Sequence, residues 1–191
     1  MGTAGGALNG IAVSPELRLR IGWVVVALLF CGAIALFAVD ITRWNSGEGA
    51  VYGRASIGRP APVVSFQGLD GRSYSLTSYL GHPVVVNFFA TWCVPCKAEL
   101  PLIQSRYMQY RARGLRVIGA DQQEDAPQVR AFVQAHGVTY LTVIDGGDAI
   151  DAYGGHAIPM SLFIDSDGVL RAVHVGEMSA AMLDADLQKI M

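Results

Sequence analysis

Hydrophobic residues recur along the chain in three patterns, and each predicts a different kind of element. Between Ile21 and Val39 they form the continuous run "IGWVVVALLFCGAIALFAV", nineteen residues without a charge. That is about the length an α-helix needs to cross a hydrocarbon core roughly 30 Å thick. The run exceeds the apolar core of a cleaved signal peptide, about 7 to 15 residues, so it predicts a retained single transmembrane helix. Arg18 and Arg20 precede it and Asp40 follows at once; by the positive-inside rule the N-terminus stays in the cytoplasm and the rest lies across the membrane. The expected organisation is a cytoplasmic tail at residues 1–20, an anchor at 21–39, an aperiodic linker at 40–58 and a folded domain at 59–191.

Within that domain the pattern changes. "VVSFQGLDGRSYSL" reads as two short β-runs around Asp70-Gly71, a turn pair that favours a hairpin. "HPVVVNFF" is almost uninterrupted, as in a central strand covered on both faces. Leu100, Ile103, Tyr107 and Tyr110 then recur at helical spacing, with Gly114 as a stop. "LRVIGAD" predicts the next buried strand. Val129, Phe132 and Val133 predict a second helix that ends at Gly137. "LTVID" follows as a short strand, "MSLFID" and "VLRAVHV" as a hairpin about Ser166-Asp167-Gly168, and Leu183, Leu187 and Ile190 as a last helix capped by Ser179. The order β-α-β-α-β-β-α predicts an α/β fold, a mixed β-sheet flanked by helices, with an N-terminal β-hairpin extension in front.

Composition changes this picture in two ways. A net charge of −2 offers no basic surface for a phosphate backbone, so nucleic acid is excluded as a partner. Only three cysteines are present. Cys31 lies inside the predicted span, where the bulky Phe30 before it argues against lipidation. The other two sit in "ATWCVPCKAELP", residues 90–101, where the strand "VVVNFF" gives way to the first helix. A cysteine at a helix start meets free N–H groups and the positive end of the helix dipole, which lower a thiol pKa from about 8.5 to roughly 7 or below. A structural zinc site needs four ligands and finds two here. A purely structural disulfide remains open, although closing so short a loop constrains the unfolded chain little.

Taken together, "VVVNFFATWCVPCKAELP" and "IPMSLFIDSDGVL" resemble the thioredoxin superfamily and, within it, the membrane-anchored TlpA/ResA/DsbE-like thiol-disulfide oxidoreductases. The resemblance covers about residues 58–191. It implies a thioredoxin-like fold and a protein-disulfide reductase whose working group is a redox-active disulfide, with no other cofactor and no metal. On the matching positions Cys93 is the attacking cysteine, Cys96 the resolving one, Pro101 the helix-kinking proline and Pro159 the cis-proline facing the dithiol. Trp92, Pro95, Ile158 and Pro159 are then the residues that meet the client. For Pro159 an ordinary trans residue at a strand start is the alternative, and for Trp92 core packing. Thioredoxin carries a buried aspartate where this chain has Asn87, and an amide takes no proton. Glu99, three residues after Cys96, returns to the same helical face and matches the acid of the ResA-like branch; the alternative is a plain partner for the helix dipole. Val94 adds no donor to a thiolate, which leaves the reduced form less favoured and makes the pair a reductant.

Two other families share parts of this pattern. A peroxidase of the related peroxiredoxin kind wants Thr three residues before its cysteine, and Ala90 stands there. A Sco-like copper-binding metallochaperone would use Cys93, Cys96 and His174, since thiolates select Cu(I), but that family separates its cysteines by one residue more. The implied setting is a bacterial cytoplasmic (inner) membrane, crossed once, with the C-terminal domain facing the periplasm or extracytoplasmic space. The implied partners are a disulfide-containing client, apocytochrome c or a copper-assembly protein, and a membrane electron donor of the CcdA/DsbD type.

Overall fold

The computed structural model describes residues 51–52 and 55–191. The predicted tail, transmembrane helix and most of the linker lie outside the described residues. Among the described residues no helix is long and apolar enough to cross a membrane.

The first described element is a short antiparallel ribbon, β1 (Val51–Tyr52) and β2 (Ala55–Ser56), which the sequence did not announce. The predicted hairpin follows as β3 (Ser65–Gly68) and β4 (Ser73–Ser75). Its turn is held by Asp70, whose carboxylate accepts from the Arg72 amide and the Tyr74 hydroxyl, while Gly71 takes the left-handed backbone that the reversal needs (φ +82°). Then come β5 (Val84–Phe89), α1 (Val94–Tyr110), β6 (Arg116–Gln122), α2 (Ala126–Ala135) and β7 (Leu141–Asp145). They are followed by α3 (Asp148–Ala152), β8 (Met160–Ile164), β9 (Leu170–Val175) and α4 (Ala180–Leu187).

Seven strands form one sheet in the order β4-β3-β7-β6-β5-β8-β9. The βαβ crossovers make β5, β6 and β7 parallel, and the hairpins attach β3 to β7 and β8 to β5 in antiparallel fashion, so the sheet is mixed. All six residues of β5 are buried. The reason is alternation: Val84, Val86 and Phe88 face one layer with Ile118, Leu162, Phe66 and Tyr153, whereas Val85 faces the other with Leu100, Ile103, Phe163 and Leu183.

Two details depart from the sequence reading. α3 is an added five-residue helix, nucleated by Asp145, whose carboxylate accepts from the backbone amides of Gly147, Ala149 and Ile150. The last helix stops at Leu187, and Ile190 is buried from the turns beyond it. Its predicted cap is in place, with Ser179 Oγ accepting from the Met182 amide.

Candidate active site

β5 ends at Phe89, and four residues later the chain enters α1. Cys93 occupies the N-cap of α1, and its sulfur accepts from the Cys96 amide at 3.2 Å. A negative charge on that sulfur would lie on free N–H groups and on the positive end of a seventeen-residue helix. Pro95 sits in the first helical turn, where its missing N–H costs no bond. Pro101 lies inside α1, one turn past Lys97. Cys93 and Cys96 are joined as a disulfide. Both sulfur residues are buried, yet Trp92 (66% exposed) and Val94 (74% exposed) stand beside them in solvent. Trp92 is therefore not a core residue.

The Ile158–Pro159 bond is cis. Ile158 packs against the cluster of Phe89, Cys93, Cys96 and Val129, so the loop before β8 lies against the cluster that holds the disulfide. Trp92 and Ile158 line an open cleft of about 610 Å³, with Gln123, Asp151 and His156 on its other walls. Gln123 holds a left-handed backbone (φ 63°) at the lip of this cleft, pinned by its amide to Asp145 O and by its side chain to Gly146 O.

Glu99 is one turn past Cys96 and 2% exposed. Its Oε1 accepts from Asn87 Nδ2 at 2.7 Å and its Oε2 from the Met178 amide at 3.2 Å. Asn87 also donates to Ser161 Oγ, so β5, β8, α1 and the turn before α4 meet at this carboxyl. Burial pushes the Glu99 pKa up to about 7, against the pull of the Asn87 and Met178 bonds, with the Glu177 charge adding to the rise. A carboxyl so placed is divided between its two protonation states at neutral pH. Asn87, where thioredoxin carries an acid, here holds the acid that α1 supplies.

His174 lies on β9 in register with Ser161. Among the described residues no three His, Cys, Asp or Glu side chains are grouped to hold a metal ion. Asp165 spends its carboxylate on the amides of Asp167 and Val169 and on Arg171, which makes "DSDG" a hairpin turn.

A further acidic group went unread in the sequence. Asp121, the last residue of the strand reading "LRVIGAD", is fully buried, and Glu124 three residues on receives both the amide and the hydroxyl of Thr91. No spacing rule flags that contact, because it joins two loops across 33 residues.

Comparison with known proteins agrees with this geometry. A model of the AhpC/TSA family matches residues 57–173. The thiol-disulfide oxidoreductase ResA of Bacillus thuringiensis subsp. konkukian is 32% identical over 170 residues, covering 87% of this chain and 94% of that one. A solved thiol:disulfide interchange protein of the thioredoxin family from Chlorobium tepidum superposes with a TM-score of 0.61 at 33% identity, covering 68% of this chain and 93% of its own. A putative thiol:disulfide interchange protein DsbE from the same organism gives 0.65 at 25% identity, over 70% and 96%. The fold, the Cys93–Cys96 redox pair and these relatives together make the chain a thioredoxin-fold thiol-disulfide oxidoreductase that belongs to the AhpC/TSA family, alongside the ResA proteins.

Proposed function

We propose that the protein is a membrane-anchored, extracytoplasmic reductase of client disulfides. The observation that carries this reading is the buried Glu99, hydrogen-bonded to Asn87, one helical turn behind Cys96. In the reduced form, the Cys93 thiolate attacks one sulfur of a client disulfide. A Cys93–client bond forms, the client S–S bond breaks, and the leaving client sulfur takes a proton. Cys96 gives its proton to the Glu99 carboxylate, and its thiolate attacks the Cys93 sulfur. The Cys93–client bond breaks, the second client sulfur departs as a thiolate that takes a proton from water, and the Cys93–Cys96 disulfide re-forms. Two electrons have passed to the client.

Supporting the reducing direction, the Val94 side chain gives the Cys93 thiolate no further hydrogen-bond donor beyond the helix amides, and a carboxyl that ionises near pH 7 disfavours thiolates beside it. A client segment lies in the cleft lined by Trp92 and Ile158, next to Pro95 in the first turn of α1 and the cis Pro159. The clients that fit the ResA and DsbE relatives are apocytochrome c or a copper-assembly protein, and the re-reducing partner is a CcdA/DsbD-type membrane donor. The uncharged run at 21–39 supports anchoring in a bacterial inner membrane with this domain in the periplasm or extracytoplasmic space.

The test is Cys96→Ser in the full-length chain, expressed in a bacterial host and analysed by non-reducing electrophoresis and mass spectrometry. Mixed disulfides through Cys93 to cysteine-pair proteins outside the cytoplasm are expected. If no such adduct accumulates while Cys93→Ser behaves identically, the reading fails.

A further inference from the structure

The loop that carries Trp92 and Cys93 is held from behind by acids that the thiol chemistry does not use. Thr91, two residues before Cys93, donates its amide to Glu124 Oε2 at 2.5 Å and its hydroxyl to Glu124 Oε1 at 2.6 Å. Gln128, in the first turn of α2, donates to both Glu124 Oε1 and Thr91 Oγ1 and closes the group. The Glu124 amide in turn donates to Asp121 Oδ1 at 3.1 Å. Asp121 stands at the end of β6, in register with Phe89, the last residue of β5. It is 0% exposed, and among the described residues its Oδ2 meets no hydrogen-bonding partner. A buried carboxylate oxygen without a partner is costly; a carboxylic acid is far less so.

We propose that Asp121 and Glu124 work as a carboxyl pair holding a single proton, and that this pair latches Thr91, making both acids positioning residues for disulfide exchange at Cys93. Only an ionised Glu124 accepts both Thr91 donors at charge-assisted strength. Burial opposes its ionisation, but the Thr91 hydroxyl and amide, Asp121 and the Lys97 charge on α1 hold Glu124 below the usual carboxylate range. Asp121 keeps the proton: burial first, then the neighbouring Glu124 carboxyl and its charge, raise it to about 7 against the Glu124 amide. Other charged groups nearby are committed elsewhere. Asp145 on β7 caps α3 and accepts from Gln122, Arg130 on α2 binds the Leu69 carbonyl, β5 presents only Phe89, and Asp125 is exposed. As pH rises through neutrality Asp121 releases its proton to water, two like charges share the pocket, and the hold on Thr91 weakens. The latch thus ties the placement of Trp92 and Cys93 to a proton that belongs to neither cysteine and not to Glu99.

The oxidised full-length protein gives a clean reading, because disulfide-bonded cysteines do not titrate. The amide proton shift of Thr91, followed by NMR from about pH 5 to pH 9, is expected to show one inflection near pH 7. Asp121→Asn is expected to abolish it and Glu99→Gln to leave it in place. Glu124→Gln, which removes the charge that helps hold the proton on Asp121, is expected to move the inflection to lower pH. It should also slow reaction of reduced protein with a small aromatic disulfide about tenfold, since misplacing a reacting group by an ångström costs up to about a hundredfold. An inflection that survives in Asp121→Asn, or that vanishes only in Glu99→Gln, overturns the proposal. Should Asp121→Asn not fold, the Glu124→Gln trace decides: an inflection moved to lower pH supports the latch, and one unchanged near pH 7 overturns it.

Discussion

Glu99 brings an acid to a place that water does not reach, and its neighbours determine what that acid can do. The Asn87 and Met178 amides each bond one of its oxygens and hold it in the site, while burial, working against those bonds, keeps its affinity for a proton. Glu99→Gln keeps the size of the side chain and removes the titration. The pH profile of thiol-disulfide exchange should lose its inflection near pH 7, and exchange should slow by on the order of ten- to a hundredfold, the lower range for a lost general base. A profile that matches the wild type would leave Glu99 a structural residue. The position of Glu99 was legible from its three-residue spacing after Cys96, and Asn87 from the missing thioredoxin acid. Their mutual hydrogen bond was not, because it joins β5 to α1 and exists only after folding. Asp121 was missed for the same reason.

β5 and α1 fix the dithiol in space. Their junction was readable because its signals are strong and local: an uninterrupted apolar strand, two cysteines at the hand-over, and prolines where a helix tolerates or bends at them. The elements that went unread are the weakest in pattern. β1 and β2 are two residues each, and α3 is five, too short to show any period. α3 forms because one side chain, Asp145, collects its free amides. This ranking of signals carries over to energetics. Phe88, 0% exposed in the middle of β5, should lose about 3–5 kcal/mol of stability on change to Ala, read as a lower denaturant midpoint. Val94, on the exposed first turn of α1, should cost within about 0.5 kcal/mol for the same change. Similar losses at both positions would contradict the two-faced core.

For the domain as a whole, its acids divide into two sets with opposite pH signatures. Glu99 and Asp121 have folded pKa values of about 7, above the ordinary carboxylate range. Between about pH 4.5 and 7 the folded state therefore holds protons that the unfolded chain has lost, and stability falls as pH rises through that window. Asp70, Asp165 and Asp184 are held below their ordinary range, Asp184 chiefly by its bonds from Arg106 and Asp70 by the Arg72 amide. Burial works against Asp165, yet the Val169 amide and Arg171 prevail. The stability these three supply is lost on acidification below about pH 4. Thermal melts of the oxidised chain should consequently peak near pH 5 and decline towards pH 8, and Glu99→Gln with Asp121→Asn should flatten the decline. A steady rise from pH 5 to pH 8 would show that the two buried acids are not protonated as described.

As proposed above, Cys93 and Cys96 form a reductant, with the Val94 side chain withholding a donor and Glu99 disfavouring thiolates. The most direct measurement is the reduction potential of this couple in the full-length chain, from equilibration in graded thiol-disulfide buffers at pH 7. The expected value lies below about −200 mV, on the thioredoxin side of the scale, so that electrons flow to client disulfides. A value near about −120 mV, that of a strong disulfide donor, would contradict the claim and reverse the direction of the proposed reaction.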